Sequence, residues 1–205
     1  MSELNQTHSS LYSATLLAFA SVGVRYCSLI EQAGKGSLAE LIEQLCGVVP
    51  ALYVALRNLR RDQAGQESVF APTDPPVYVT AATYAALQHT LEDLFGSYDT
   101  FIEIDKQDEW GETTNTLRMS ELLCDIYQPV GDLLGILRDE NIVALGPATE
   151  RCAEQFDLYL GANCLSAARV LHSLDYNPEL HQSQDAENSP TLRAASPDDL
   201  FSSIL

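Results

Sequence analysis

Basic side chains are scarce in this chain. Its 205 residues include 11 Lys and Arg against 29 Asp and Glu, which gives a formal net charge of −18 at pH 7. DNA, RNA and anionic lipids attract proteins through clustered Lys and Arg. The charge balance therefore argues against a protein that binds nucleic acid or an anionic membrane. Three interpretations of the negative charge stay open. The first is a plain soluble acidic surface, the second is a docking surface for a basic protein partner or even a nucleic-acid mimic, and the third is adaptation to high salt.

Long apolar runs are also missing. No stretch reaches the roughly 20 apolar residues that a membrane-spanning helix needs. Polar residues interrupt the best candidate, 11–30, at Ser13, Thr15, Ser21, Arg25 and Ser28. We interpret this stretch as an amphipathic helix. The first ten residues contain Glu3 and no Lys or Arg, whereas a signal peptide begins with a basic region. The sequence therefore predicts a cytoplasmic protein without a membrane partner.

Motifs for metal, cofactor or nucleophile chemistry are absent from the sequence. The cysteines stand singly in apolar helical patterns, which is typical of buried free thiols. They are Cys27, Cys46, Cys124, Cys152 and Cys164. The histidines lack zinc-site spacing, the acidic stretch 99–112 lacks the alternating ligands of an EF-hand, and no paired Glu-x-x-His elements occur. We therefore predict no metal, no cofactor and no catalytic centre.

A helical register is the strongest positive signal. Apolar residues recur at steps of three and four between Ser120 and Leu137, with Ser120 as the predicted cap and a bend expected near Pro129. They are Leu123, Ile126, Val130, Leu133 and Leu137. This pattern predicts a buried amphipathic helix.

Four further helices are predicted from capping residues and apolar spacing. They cover about 10–33, 37–61, 80–95 and 141–174. Ser37 and Glu40 form a capping box at the start of the second helix, which we expect to kink or restart at Pro50. Thr80 is the expected cap of the third helix, and Gly96 ends it. Residues 62–79 read as a surface loop, and residues 97–118 as an ordered loop that crosses the body.

The predicted fold is all-α. A compact bundle of about five or six helices occupies residues 10–174, and an acidic, mostly disordered tail occupies residues 175–205. Within the tail, Ser196 and Pro197 suit a helix start, and an apolar face follows over 197–205. That face consists of Leu200, Phe201, Ile204 and Leu205. Such a short helix is able to dock in a groove of the same molecule or of a partner.

Several spaced positions resemble an uncharacterised bacterial family of helical proteins that is known only as a domain of unknown function. The most recognisable motif is Asp-Ile-Tyr-Gln at 125–128. The resemblance covers roughly residues 10–174 and includes Tyr26, Tyr84, Phe156, Tyr159, Gly161, Arg169 and His172. The chain departs from the pattern at Pro129, where the family usually has an acidic residue, and at Leu160 and Ala162, where it favours Trp and Gln. The resemblance implies an all-helical body and no established activity.

Two sets of polar residues are candidate ligand sites. Asp125, Tyr127 and Gln128 lie on adjacent turns of one predicted helix, where a buried carboxylate beside a Tyr hydroxyl can serve acid and base roles. Polar groups inside a bundle more commonly satisfy one another and fix the helix register, so a structural role is the alternative. Arg169 and His172 lie one turn apart near the end of the last helix.

The position of Arg169 and His172 in the bundle follows from an antiparallel arrangement of the last two predicted helices. Counting back from the turn near Asn141 places both residues beside Glu121. That corner offers either an anion site or a simple salt bridge, and a surface salt bridge would contribute little stability.

For function, the sequence favours a non-catalytic interaction or regulatory protein. Such a protein would bind another protein, for example a basic one, through its helical faces and acidic surface. The alternative is an enzyme or small-molecule binder with an interhelical pocket near Asp125, Tyr127 and Gln128. A convergent polar pocket would favour the alternative. A filled interior with an exposed apolar groove would favour the interaction protein.

Overall fold

A computed structural model of the protein describes residues 13–63, 74–104 and 114–180. Its six α-helices are α1 Ala14–Gln32, α2 Leu38–Gln63, α3 Ala81–Phe95, α4 Met119–Arg138, α5 Ile142–Gln155 and α6 Gly161–Asp175. Two strands, β1 Thr100–Ile104 and β2 Thr114–Arg118, lie between α3 and α4. The predicted all-α bundle of five or six helices is confirmed. Residues 181–205 of the predicted disordered tail, including its segment 197–205, lie outside the described residues.

Capping side chains set most of the helix starts. Ser37 and Glu40 form the predicted capping box, since the Ser37 amide donates to Glu40 Oε2 at 3.1 Å and the Glu40 amide donates to Ser37 Oγ at 3.3 Å. Thr80 accepts from the Thr83 amide at 3.1 Å, as expected of an N-cap. Gly96 ends α3 with φ of +52°, a left-handed conformation that favours glycine. Pro50 lies inside an unbroken α2, so the helix does not restart there, and the other predicted outcome, a kink, stays a prediction.

Helix α4 is the centre of the bundle and contacts α1, α3, α5 and α6. Its core-facing side chains Leu123, Ile126, Val130 and Leu133 are at most 1% exposed, and Leu137, the last residue of the predicted apolar face, is partly buried against the core. Complete burial is worth roughly 1.5 to 3 kcal/mol for each large aliphatic side chain. The helix begins at Met119, one residue before the predicted cap, and Ser120 lies within it. The prediction that Ser120 caps this helix is therefore wrong.

A β-hairpin replaces the crossing loop predicted over 97–118. Strands β1 and β2 pair antiparallel, with Thr100 opposite Arg118 and Ile104 opposite Thr114. The buried Asp99 carboxylate anchors the hairpin to α4, because it accepts from the Ser120 amide at 2.7 Å, from Ser120 Oγ at 2.9 Å and from Arg118 Nε at 3.0 Å. Asp99 thus supplies the oxygen that the first turn of α4 needs. This contact explains why Ser120 is not the cap.

The last predicted helix is divided by a π-helical segment. Residues Phe156–Leu160 form this wider turn between α5 and α6. Asp157 in the π segment pairs with Arg60 of α2, with Arg60 Nη2 and Asp157 Oδ2 2.8 Å apart. The ring of Phe156 contacts the ring of Tyr53 at a centroid distance of 5.5 Å. The π segment therefore lies against α2, where it fixes the junction of α5 and α6.

Candidate functional site

The three predicted site residues of α4 have separate partners. The hydroxyl of Tyr84 donates to Asp125 Oδ1 at 2.7 Å. The hydroxyl of Tyr127 donates to Glu31 Oε1 of α1 at 2.8 Å. Gln128 is exposed. The structure therefore does not bring the three side chains together into one site.

Tyrosines surround the Asp125 carboxylate. Burial raises the pKa of Tyr84, and the hydrogen bond to Asp125 raises it further. Burial also raises the pKa of Tyr159, and the negative charge of Asp125 adds to that effect. Hydroxyls with a raised pKa hold their protons at neutral pH and are poor general acids, and that of Tyr84 donates its hydrogen bond to Asp125. These contacts favour the structural role considered for Asp125.

Arg169 and His172 lie on the exposed side of α6. Arg169 Nη2 is 3.9 Å from Glu103 Oε1 of the hairpin. The same Glu103 oxygen accepts from Ser166 Oγ at 2.9 Å. The pairing with Glu121 predicted from the sequence is therefore wrong, because the unpredicted hairpin places Glu103 over this end of α6. His172 makes an edge contact with the ring of Tyr176 at 5.0 Å.

A cavity of about 720 Å³ lies between α1, α4 and residues 77–83. Tyr127 and its partner Glu31 line this cavity, together with Tyr78 and Arg138. The Arg138 guanidinium lies 5.6 Å from the centre of the Tyr78 ring, a cation–π contact. Apolar side chains supply much of the remaining wall, among them Val24 and Leu134. Neither Asp125 nor Gln128 lines it.

The chemistry of this cavity suits binding better than catalysis. Burial raises the pKa of Tyr127, and the hydrogen bond to Glu31 raises it further. Burial raises the pKa of the Cys27 thiol to about 12. A thiol with such a pKa is almost fully protonated at neutral pH and is a poor nucleophile. Among the residues that the structure describes, no group of three or more His, Cys, Asp or Glu side chains is placed to hold a metal ion.

A second cavity of about 610 Å³ lies on the other side of α1, beside the turn into α2. Arg25, Lys35 and Glu40 supply its charged side chains. Val24 and Ser28 line both cavities. The outer face of α1 is therefore bordered by a hollow on each side.

The outer face of α1 is open, and it exposes two large apolar side chains beside the polar side chains of Ser21, Arg25 and Gln32. Leu17 and Val24 are 56% and 58% exposed, and their spacing of seven places them on the same face of the helix. The segment Ala14–Glu31 has a mean hydropathy of 1.3, yet only 33% of it is buried. We call this face, together with its two bordering cavities, the α1 groove.

Two described helices are long and apolar enough to cross a membrane, as judged by length and composition alone. They are α1, over Ala14–Glu31, and α2, over Leu38–Gln63. Core helices of water-soluble proteins commonly have the same composition, and here the two helices pack against each other within one bundle. The expected absence of a membrane partner stays a prediction.

Sequence reasoning did not identify the α1 groove, although one signal points to it. Between Ala14 and Ile30 the only charged residue is Arg25, in a chain of net charge −18. An acid-free stretch in so acidic a protein marks a face that avoids negative charge. Glu31 is the first carboxylate after it, and that carboxylate is the partner of Tyr127.

Comparisons with known proteins extend the family resemblance. Residues 10–177 match the model of DUF5063, a domain of unknown function. The fold is similar to the crystal structure of protein BF1032 from Bacteroides fragilis, at a TM-score of 0.67 and 21% identity, over 89% of this chain and 98% of that one. A search of curated proteins finds no match. This chain therefore belongs to the DUF5063 family.

Proposed function

We propose that this protein is a non-catalytic, cytoplasmic interaction protein that binds another protein through the α1 groove. One observation supports the proposal above all others: α1 has the hydropathy of a core helix, yet two thirds of it is left unburied. Covering Leu17 and Val24 with a partner would remove apolar surface from water, which is the main driving force of protein association.

Charge defines the kind of segment that fits the groove. The two cavities are lined by three cations, Arg25, Lys35 and Arg138, and by two carboxylates, Glu31 and Glu40. Both carboxylates already accept hydrogen bonds, from Tyr127 and from the Ser37 amide. An apolar helical segment that carries acidic residues at one end suits this lining. Outside the groove, the acidic surface favours a partner that is otherwise basic.

The proposal predicts that Val24→Asp abolishes partner binding. The substitution places a carboxylate in the centre of the apolar face, and desolvating it would weaken binding at least tenfold, as at a typical hot spot. The measurement is affinity capture from the native host with tagged wild-type and variant chains, followed by mass spectrometry.

Val143→Asp is the matched control, because Val143 is 85% exposed, lies on α5 and lines neither cavity. A partner that survives Val143→Asp and disappears with Val24→Asp would support the α1 groove. Equal recovery with all three chains would contradict it.

A small-molecule binder is the second candidate, and the Tyr127–Glu31 pair in the larger cavity favours it. A carboxylate at the edge of an apolar cavity suits an organic amine. For such a ligand at 100 times its dissociation constant, we expect a rise in Tm of roughly 5 to 10 °C. Glu31→Gln should abolish the rise and Glu43→Gln, on the exposed side of α2, should retain it. A thermal-shift screen of amines that leaves the wild-type Tm unchanged would reject this candidate.

A further inference from the structure

We infer that the segment 197–205 of the same chain docks in the α1 groove and competes there with the partner. Only the competition with a partner rests on the proposed function, because the docking involves this chain alone. It assigns to the groove an occupant that is always present at a fixed stoichiometry. The protein would then regulate its own binding surface.

The chemistry of segment 197–205 matches the groove. In a helix that begins at Pro197, the apolar side chains fall on one face, as a groove-binding helix requires. They are Leu200, Phe201, Ile204 and Leu205. Asp198 and Asp199 stand at the start of the same segment, where they would complement the positive end of such a helix.

The charge of the groove selects this acidic segment. Arg25 and Lys35 have no ion-pair partner within 4 Å among the described side chains. They are therefore available to Asp198 and Asp199. The chain has a net charge of −18, so much of the rest of its surface is negative and repels an acidic segment. The same repulsion disfavours anionic lipid as the occupant of the groove.

The chain leaves the described bundle near the groove. Burial raises the pKa of Cys46 of α2, and the nearby carboxylate of Asp175, at the end of α6, raises it further. Cys46 lies two residues after Gln44, which lines the smaller cavity. Slightly further along the chain, Glu179 accepts from the hydroxyl of Tyr98 at 3.3 Å. The last described residues therefore lie at the end of the bundle that holds the α1–α2 turn.

The stretch that follows is long enough to reach the groove. Residues 181–196 number 16 and span up to about 53 Å when fully extended. A domain of the 149 described residues has a radius of gyration of roughly 15 Å, so this reach covers much of its surface. Tethering over such lengths gives an effective concentration of about 1 mM. A segment with a dissociation constant of about 0.1 mM would then weaken partner binding about tenfold.

The docking is tested by methyl NMR spectroscopy of the full chain. Phe201→Asp should shift the methyl resonances of Val24 and Leu134, which line the groove, and leave those of Val143 unchanged. The shifts should be the same over a tenfold range of protein concentration, because the contact is intramolecular. Ser202→Asp is the matched control: it adds the same charge on the opposite face of the segment and should leave all three resonances in place.

Three results would overturn the inference. The first is that Phe201→Asp, and equally a second variant, Ile204→Asp, leave the groove resonances unmoved. The second is that Ser202→Asp moves them as much as Phe201→Asp does. The third is that the shifts vary with concentration, which would make a second copy of the chain the occupant.

Failure of the docking inference and failure of the proposed function give different results. In partner capture, Phe201→Asp should increase recovery about tenfold if the segment competes. Unmoved NMR resonances together with loss of the partner in Val24→Asp would reject the docking and keep the proposed function. Moved resonances without any effect of Val24→Asp on capture would keep the docking and reject the proposed function.

Discussion

Replacing Asp99 with alanine is expected to destabilise the fold by about 3 kcal/mol. The side chain is nearly fully buried, and its carboxylate is the shared acceptor for the Ser120 amide, Ser120 Oγ and Arg118 Nε. Asp99→Ala leaves two buried Ser120 donors without a partner, which costs about 1 to 3 kcal/mol for each such group. Arg118 also donates to Glu92, so its loss is partly compensated. Urea denaturation monitored by circular dichroism measures the change.

The control for Asp99 is the nearby Asp93. Its side chain is 70% exposed and its ion pair is with His89 on the surface of α3, so Asp93→Ala should change the free energy of unfolding by less than about 0.5 kcal/mol. Asp99→Asn should lie between the two, because the amide retains one acceptor oxygen. Equal stability of Asp99→Ala and Asp93→Ala would show that the hairpin anchor contributes nothing to the fold.

The helices could be predicted because their signals are local. Ser37 and Glu40 are three residues apart, and both hydrogen bonds of the capping box follow from that spacing alone. Thr80 and Gly96 mark the two ends of α3 in the same way. Such features act within one turn of helix, so no knowledge of the rest of the chain is needed.

The hairpin was missed because its stability depends on distant contacts. Each strand has only five residues, and an isolated two-stranded hairpin is marginal in water. Asp99 binds a residue 21 positions away, and Glu103 binds Ser166, which is 63 positions away. Those two anchors determine both the start of α4 and the partner of Arg169. Because Glu103 of the hairpin lies beside Arg169, the pairing of Arg169 with Glu121 that the sequence predicts is wrong.

The candidate site could be predicted only in part for the same reason. Tyr127 was identified from the motif of α4, but its partner Glu31 lies 96 positions earlier, on α1. Which face of α1 stays uncovered depends on how α2 and α4 pack against it. Periodicity separates the two faces of a helix, but it does not say how many neighbours the helix will have.

Gly135→Ala and Gly47→Ala are expected to change the free energy of unfolding in opposite directions. Gly47→Ala, within α2, meets no atom within 4 Å and should stabilise the fold by about 0.5 to 1 kcal/mol through helix propensity. Gly135→Ala, within α4, would place its Cβ 2.3 Å from Cγ of Tyr78. This distance is far shorter than a van der Waals contact, and Cγ is the ring atom bonded to Cβ of Tyr78.

Tyr78 has little freedom to move away. Its amide donates to Asp132 Oδ1 at 2.7 Å, its hydroxyl donates to Asp139 Oδ2 at 2.7 Å, and the next amide, of Val79, donates to Asp132 Oδ1 at 2.8 Å. Relieving the clash requires residues 77–79 to shift, which weakens these bonds to carboxylates. The cost of overpacking, about 1 to 3 kcal/mol, together with the weakened bonds exceeds the gain in helix propensity.

We therefore expect Gly135→Ala to lower the free energy of unfolding by about 2 kcal/mol while Gly47→Ala raises it. Urea denaturation of both variants, with unchanged m-values, separates a packing effect from a change in the unfolded chain. Equal stabilisation by both substitutions would show that residues 77–79 do not lie against α4. Since Gly135 and Tyr78 both line the larger cavity, that result would also remove one wall of the α1 groove and, with it, the enclosed space proposed to receive a partner.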